Sequence, residues 1–208
     1  MRKTKESEYR IYEIGFSMLD SRYLLRVQDI NDVVANRHFV VGGHMKLSKA
    51  AKENLFGVSE SIDEESIPSV LRNVLNIEDT VLPRYESLNQ GNLRSVVLVG
   101  HSLHGEVNLL RMFGVDITSH PTVIGIFDTT PVARSVLGKG DSLELLSKAL
   151  RFPYKNLHSA TNDAKFTLRA LIMLVHRSLR EFPSTEFEDT VFKTEEGRKL
   201  AWLQAVTR

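Results

Sequence analysis

The sequence predicts an α/β fold in which a mixed central sheet is flanked by helices. Two observations predict it. Strand patterns dominate the first part of the chain, which favours antiparallel neighbours, and from Ser95 onward strands alternate with helices, which favours parallel ones. A long amphipathic segment over residues 160–182 then predicts a single helix that ends at Pro183.

The N-terminal part is interpreted from the spacing of its apolar residues. Alternation of apolar and polar residues is typical of strands with one buried face, whereas apolar residues three and four apart indicate a helix. In chain order, the predicted elements are strands over 9–19, near 23–27, over 38–41 and at 56–59, a helix over 67–75 and a loop over 82–92.

The C-terminal part carries local start and stop signals. Gly100 ends a buried run of valine and leucine, and Gly114 ends a helical pattern. Pro131 opens a helix in the first turn, where proline is tolerated, and Asp141 with Ser142 caps the next one. The predicted elements are strands over 95–99 and 122–127 and helices over 103–113, 131–137, 143–150 and 160–182.

Composition limits the classes of protein to consider. The chain has 208 residues and a formal net charge of +1, so a nucleic-acid partner would have to bind a local patch. It has no cysteine, which excludes disulfides, thiolate metal sites and cysteine nucleophiles and fits an intracellular protein of the cytoplasm or nucleus. No apolar run approaches the roughly 18 residues of a bilayer span, so we expect no membrane partner.

We expect one domain over residues 1–183 and a C-terminal extension over 184–208. The length suits a single domain with extensions better than two large domains. The extension is polar until Leu200-Ala201-Trp202-Leu203, which predicts a short helix that docks on the domain or on a partner.

Three local signals with chemical content follow one another along the chain. The first is the buried strand that ends at Gly100 and leads into a helix that carries Glu106. The second is a strand that ends in Asp128-Thr129. The third is His158, followed five residues later by Asp163 at the start of the long helix.

This order resembles the DEDDh 3′–5′ exonuclease superfamily, which has an RNase H-like fold. Within it, the sequence is most similar to a fungal group of exonuclease-like domains linked to mRNA export. The resemblance covers about residues 9 to 182, and its most specific part is His158-x4-Asp163 within Leu-His-Ser-Ala-Thr-Asn-Asp-Ala. Tyr12-Glu13-Ile14-Gly15 also fits, because the family's second strand often reads Ile-x-Glu-Ile-Gly.

The resemblance implies phosphodiester hydrolysis by two divalent metal ions on single-stranded RNA or DNA. Such ions lie about 4 Å apart and clamp the attacking and leaving oxygens, and Mg²⁺ or Mn²⁺ prefers carboxylate ligands. By resemblance, Asp163 is the last metal ligand, Glu106 is a metal ligand from the second motif, and His158 is the general base. These three residues are the candidate catalytic set.

The chain also departs from the family pattern. An Asp-x-Glu motif on a central strand is expected shortly before Glu13, but Met-Arg-Lys-Thr-Lys stands there, and Glu6 and Glu8 are not on a buried strand. The family usually has Asp where this chain has Glu106, whose extra methylene would move the metal. The sequence therefore predicts weak or absent catalysis, and the alternative function is an inactive exonuclease-like module that binds a protein in RNA processing.

Several candidate residues have simpler interpretations. His101 and His104 suggest a zinc site only weakly, because no third ligand is evident. Asp128 reads mainly as a helix cap. Phe152 and Tyr154 favour core packing over base stacking, and the cations of the last helix favour a solvated face over phosphate contacts. Those helix residues are Lys165, Arg169, His176 and Arg180.

Overall fold

The computed structural model describes residues 10–21, 33–42, 49–78, 93–138 and 142–181. The predicted strand near 23–27, the predicted loop over 82–92 and the extension over 184–208 with its short helix lie outside these residues. The predicted domain boundary at residue 183 therefore stays a prediction. None of the helices in the described ranges is long and apolar enough to cross a bilayer.

The first sheet contains three strands in the order β1, β2, β3. The strands are β1 (Glu13–Leu19), β2 (Val34–Val41) and β3 (Ser59–Ile62). β1 and β2 are antiparallel, with Glu13 opposite Val40 and Leu19 opposite Val34. β3 runs parallel to β2, so the expectation of antiparallel neighbours holds only for the first pair.

The connection between β2 and β3 explains this difference. Parallel neighbours need a crossover, and the short helix α1 (Lys49–Glu53), which was not predicted, lies in it. The strand predicted at 56–59 is wrong in position, because Gly57 has a left-handed φ of 100° in a turn and β3 begins at Ser59.

The second sheet contains β4 (Val96–Gly100) and β5 (Val123–Asp128), which are parallel. Helix α3 (His104–Met112) forms the crossover between them. These three elements lie within one or two residues of their predicted bounds, because each is marked by a buried run or a glycine stop.

The remaining helices are also close to the prediction. They are α2 (Ile67–Leu75), α4 (Thr129–Leu137), α5 (Leu143–Leu150) and α6 (Ala160–Glu181), and short 3-10 turns lie at Glu64–Ser66 and Ile117–Ser119. Helix α4 begins two residues before Pro131, because Asp128 caps it. Ser142 caps α5 as predicted and accepts the N–H of Leu145.

Helices cover both faces of the first sheet. On one face, Ile67 and Leu71 of α2 pack with Ile14 and Phe16. On the other face, α6 lies so close to β1 that a Cβ on Gly15 would stand 2.2 Å from the backbone nitrogen of Thr161. The predicted α/β class, with mixed strands flanked by helices, is confirmed.

Helix α6 connects the two sheets, since it contacts β1 and β2 of the first and β4 of the second. Within the described ranges no strand pairs with both β1 and β4. A bidentate ion pair joins the sheets as well: the two guanidinium nitrogens of Arg94, just before β4, each lie 2.6 Å from an oxygen of Asp20, just after β1.

Candidate functional site

The site forms where a tight loop enters helix α6. Asn156 and His158 both have left-handed backbone conformations, with φ of 50° and 70°. The fully buried side chain of Asn162 accepts the N–H of Leu55 at 2.9 Å and donates to the carbonyls of Glu53 at 2.8 Å and Asn156 at 2.9 Å. Asn162 thus fixes the loop against the segment after α1, a role that the sequence analysis did not identify.

Asp163 lies in the first turn of α6, and its carboxylate closes the loop. Both of its oxygens accept the backbone N–H of His158, at 3.2 Å each. The backbone of His158 is therefore held in place while its side chain is exposed to solvent. An exposed imidazole on a fixed backbone can reach a water molecule beside Asp163.

The electrostatics of Asp163 show which other acids are near it. Burial raises the pKa of Asp163 above its usual value, whereas the N–H and the positive charge of His158 lower it. The negative charges of Glu13 and Glu106 raise this pKa further. The charges of Glu13 and Glu106 therefore act on Asp163 at the start of α6, and two of these three acids, Asp163 and Glu106, are predicted site residues.

Glu13 is held by a buried histidine that the sequence analysis missed. The Nε2 atom of His38 lies 2.9 Å from Oε2 of Glu13, and its Nδ1 lies 2.7 Å from Oγ of Ser59. A neutral His38 would donate from Nε2 and accept the hydroxyl of Ser59 at Nδ1. The same Glu13 oxygen accepts the N–H of Ala160 at 3.1 Å. Glu13 therefore connects all three strands of the first sheet to the first turn of α6.

Glu106 lies in the first turn of α3, and its side chain is exposed. It approaches the site from the carboxyl end of β4, while Asp163 approaches it from α6. Over the described part of the chain, no three acidic or histidine side chains lie close enough together to hold a metal ion. Metal ligation by Glu106 and Asp163 therefore stays a prediction.

Asp128 acts as a helix cap, as predicted. Its carboxylate accepts the N–H groups of Ser102, Leu103 and Thr130 at 3.1, 3.0 and 2.8 Å. Burial alone would raise its pKa, but these bonds and the Thr130 hydroxyl outweigh burial and hold the pKa of Asp128 below its usual value. Asp128 therefore fixes the turn from β4 into α3 as well as the start of α4.

The other candidates have local partners. Nδ1 of His101 lies 2.9 Å from the hydroxyl of Thr129, and Nε2 of His104 lies 3.0 Å from the amide of Asn108, so nothing supports the zinc alternative. Phe152 is buried, which confirms the core-packing interpretation. Tyr154 packs against the same core.

A family model described as the C-terminal domain of DNA polymerase III subunit epsilon-like proteins, of the DEDDh type, matches residues 2–174. The chain belongs to this DEDDh family. The match extends from before β1 into α6, so the prediction of the DEDDh superfamily is confirmed at that level. A search of curated proteins found no match.

Enzymes of the DEDDh type generally use divalent metal ions, and the residues of this chain fit such an ion in part. Asp163 is half-buried, carries a raised pKa and faces two other carboxylates, so a cation would remove the repulsion that ionisation creates. Glu13 is already engaged by His38 and Ala160. Glu106 and Asp163 remain as the carboxylates that would hold an ion.

Proposed function

We propose that this chain is a nucleic-acid-binding, exonuclease-like domain with weakened 3′–5′ phosphodiester hydrolysis. One observation carries the proposal. The Asp163 carboxylate accepts the backbone N–H of an exposed His158, and the negative charges of Glu13 and Glu106 raise the pKa of Asp163. Membership of the DEDDh family supports a nuclease-like domain, and the arrangement supplies a general base together with carboxylates for a metal ion.

Each residue has a distinct role in this proposal. Mg²⁺ or Mn²⁺, held by Glu106 and Asp163, would supply charge stabilisation for the phosphoryl group. His158 would accept the proton of the attacking water through its exposed imidazole. Asn162 and Asp163 position His158, because both hold the loop from which it projects. The product would be a nucleoside monophosphate released from the 3′ end of single-stranded RNA or DNA.

Weak activity follows from the ligand set. Efficient two-metal hydrolysis needs carboxylates on both sides of the metal pair, and the described residues contain no cluster of three acidic or histidine side chains that could hold a metal ion. The glutamate side chain at position 106 is also longer than the aspartate usual in the family.

Incubation with Mn²⁺ and 5′-labelled single-stranded RNA or DNA tests the proposal. We expect slow shortening from the 3′ end, and we expect His158→Ala to reduce its rate about 100-fold, a typical contribution of a general base. His120→Gln is the matched control, because His120 precedes the amino end of β5, opposite to the end that carries Asp128. Shortening that survives His158→Ala would exclude His158 as the base.

The second candidate is an inactive exonuclease-like module that binds a protein in RNA processing. The incomplete ligand set favours it. A wild-type protein that neither shortens RNA or DNA with Mn²⁺ nor binds either would support the module and contradict the nuclease. The similarity to fungal domains linked to mRNA export, and an intracellular location, are further proposals that rest on the sequence alone.

A further inference from the structure

A cationic groove lies between the C-terminal end of α5 and the C-terminal half of α6, away from the candidate site. Its volume is about 580 Å³. Among the described residues, its lining includes three arginines and a histidine and no acidic residue; the lining residues are Ala149, Leu150, Arg151, Met173, His176, Arg177 and Arg180. Their ionisable side chains are all basic, which suits an anion.

The groove and the candidate site share helix α6. Asp163 lies in the first turn of this helix, whereas His176 and Arg180 lie near its end. At 1.5 Å of rise per residue, they are about 20–25 Å from Asp163 along the helix axis. The groove is therefore a separate surface, at a fixed distance from the site.

The basic residues of α6 divide into two groups. The ammonium of Lys165 lies 5.8 Å from the ring centre of Phe56, and the guanidinium of Arg169 lies 5.1 Å from that of Phe152, so these two cations cover aromatic rings of the domain. His176 and Arg180 line the groove instead. Only the second group has the position needed for a shared anion site.

The charges inside the groove favour an anion. Burial, followed by the positive charge of Arg180, lowers the pKa of His176, so only the second cause reflects positive charge in the groove. An anionic ligand would offset that second cause. Arginine also matches phosphate oxygens with paired donors, and no aromatic residue lines the groove to stack a base.

We propose that this groove binds the phosphate backbone of the single strand whose 3′ end lies at His158 and Asp163. This inference rests on the proposed function. At about 3.4 Å per stacked nucleotide, a separation of 20–25 Å corresponds to about six or seven nucleotides. Binding should therefore tolerate any sequence but depend on strand length, because a strand of four nucleotides that occupies the site does not reach the groove.

Fluorescence anisotropy with 4-mer and 12-mer oligonucleotides, without divalent metal, tests this proposal independently of hydrolysis. We expect the double variant Arg151→Gln/Arg180→Gln to bind the 12-mer at least tenfold more weakly and the 4-mer as the wild type does. The slope of log affinity against log salt for the 12-mer should fall by about 1.4, or about 0.7 for each lost phosphate contact. Arg72→Gln, an exposed arginine on α2, is the matched control and should change neither value.

A second double variant distinguishes the effect of the arginine charges from the effect of misfolding and from the effect of guanidinium geometry. Arg151→Lys/Arg180→Lys keeps both charges, so it should keep the salt slope and lose part of the affinity for the 12-mer. Equal affinity of the double glutamine variant and the wild type for the 12-mer would overturn the proposal that the groove binds the phosphate backbone. So would displacement of the 12-mer by polyglutamate as effectively as by unlabelled 12-mer, since the ligand would then be an acidic peptide.

The outcomes distinguish this inference from the proposed function. Length-dependent binding that requires the two arginines, without any shortening in Mn²⁺, would support phosphate binding in the groove and contradict the proposed hydrolysis. Shortening that requires His158, together with 12-mer binding that does not depend on the two arginines, would support the proposed hydrolysis and contradict phosphate binding in the groove.

Discussion

At the scale of single residues, two aspartates of similar sequence context have opposite electrostatics. Asp128 follows β5 and accepts three backbone N–H groups, which hold its pKa low. Asp163 begins α6 and accepts one N–H group, while burial and neighbouring acids raise its pKa. Asp128 is a structural cap, whereas the charge of Asp163 is poorly solvated in the folded domain. Poor solvation of a charge is typical of functional sites.

The raised pKa of Asp163 predicts a gain in stability when its charge is removed. A folded pKa above the unfolded value means that the folded state binds the proton more tightly, so stability is lost as pH rises through the folded pKa. At neutral pH and without divalent metal, we expect Asp163→Asn to raise the free energy of unfolding by about 1 kcal/mol, or Tm by about 2–4 °C. Thermal unfolding between pH 4 and 8 measures this.

Added Mn²⁺ supplies the control for that variant. It should raise the Tm of the wild-type protein and leave that of Asp163→Asn unchanged, because ligand binding stabilises only a state that binds it. A lower Tm for the variant in metal-free buffer would show that the bond to the His158 N–H outweighs the charge. If Mn²⁺ raised the Tm of both proteins equally, Asp163 would not be a metal ligand.

At the scale of elements, the C-terminal part was predicted better than the N-terminal part. Strand β4, helix α3 and strand β5 have apolar runs or glycine stops within a few residues of their ends, and such signals act locally. Helix α1 and the parallel pairing of β3 were not predicted. Both depend on contacts of the α1–β3 connection with α6, such as the bond from Leu55 to Asn162.

The close approach of α6 to β1 predicts a strong effect of substitution at Gly15. A Cβ there would meet backbone atoms of Ala160 and Thr161, which cannot rotate away as a side chain can. We expect Gly15→Ala to lower the free energy of unfolding by about 3 kcal/mol in urea denaturation. It should also reduce any hydrolysis, because the first turn of α6 carries Asp163.

Gly105 gives the matched control for that substitution. It lies within α3, and nothing stands within 4 Å of a Cβ placed on it. Gly105→Ala should therefore stabilise the protein by about 0.5–1 kcal/mol through helix propensity. If both variants had the same stability, the tight packing of α6 on β1 would be refuted.

At the scale of the whole molecule, the described contacts that join the two sheets include those of α6, the Arg94–Asp20 ion pair and α3 side chains packed into the core of the first sheet. The second sheet has only two described strands, and Val97, Ile124 and Ile126 keep 54%, 69% and 49% of their surface exposed. Parallel strands are normally covered on both faces. The attachment of this sheet to the rest of the domain therefore depends strongly on α6 and on the pair of Arg94 with Asp20.

The ion pair between the sheets predicts a measurable loss on substitution. Arg94 and Asp20 are each less than one-fifth exposed and form two short bonds. We expect Arg94→Gln to lower the free energy of unfolding by about 2 kcal/mol, since the carboxylate would lose charged partners in a partly buried position. Glu60→Gln, which breaks the exposed pair with Arg37, should cost less than about 1 kcal/mol. If urea titrations showed that both variants lose equal stability, the Arg94–Asp20 pair would not have the proposed role in joining the two sheets.

The sequence by itself determined the order of strands and helices from β4 to α6, the α/β class, the DEDDh family and the capping role of Asp128. These features depend on spacing, buried runs and caps, which act over a few residues. Only the tertiary structure decided that the charges of Glu13 and Glu106 act on Asp163, that His38 holds Glu13 across 25 residues, and that Arg151 joins His176 and Arg180 in one groove. Contacts between distant residues depend on how α6 packs across two sheets, and local sequence patterns do not predict that packing.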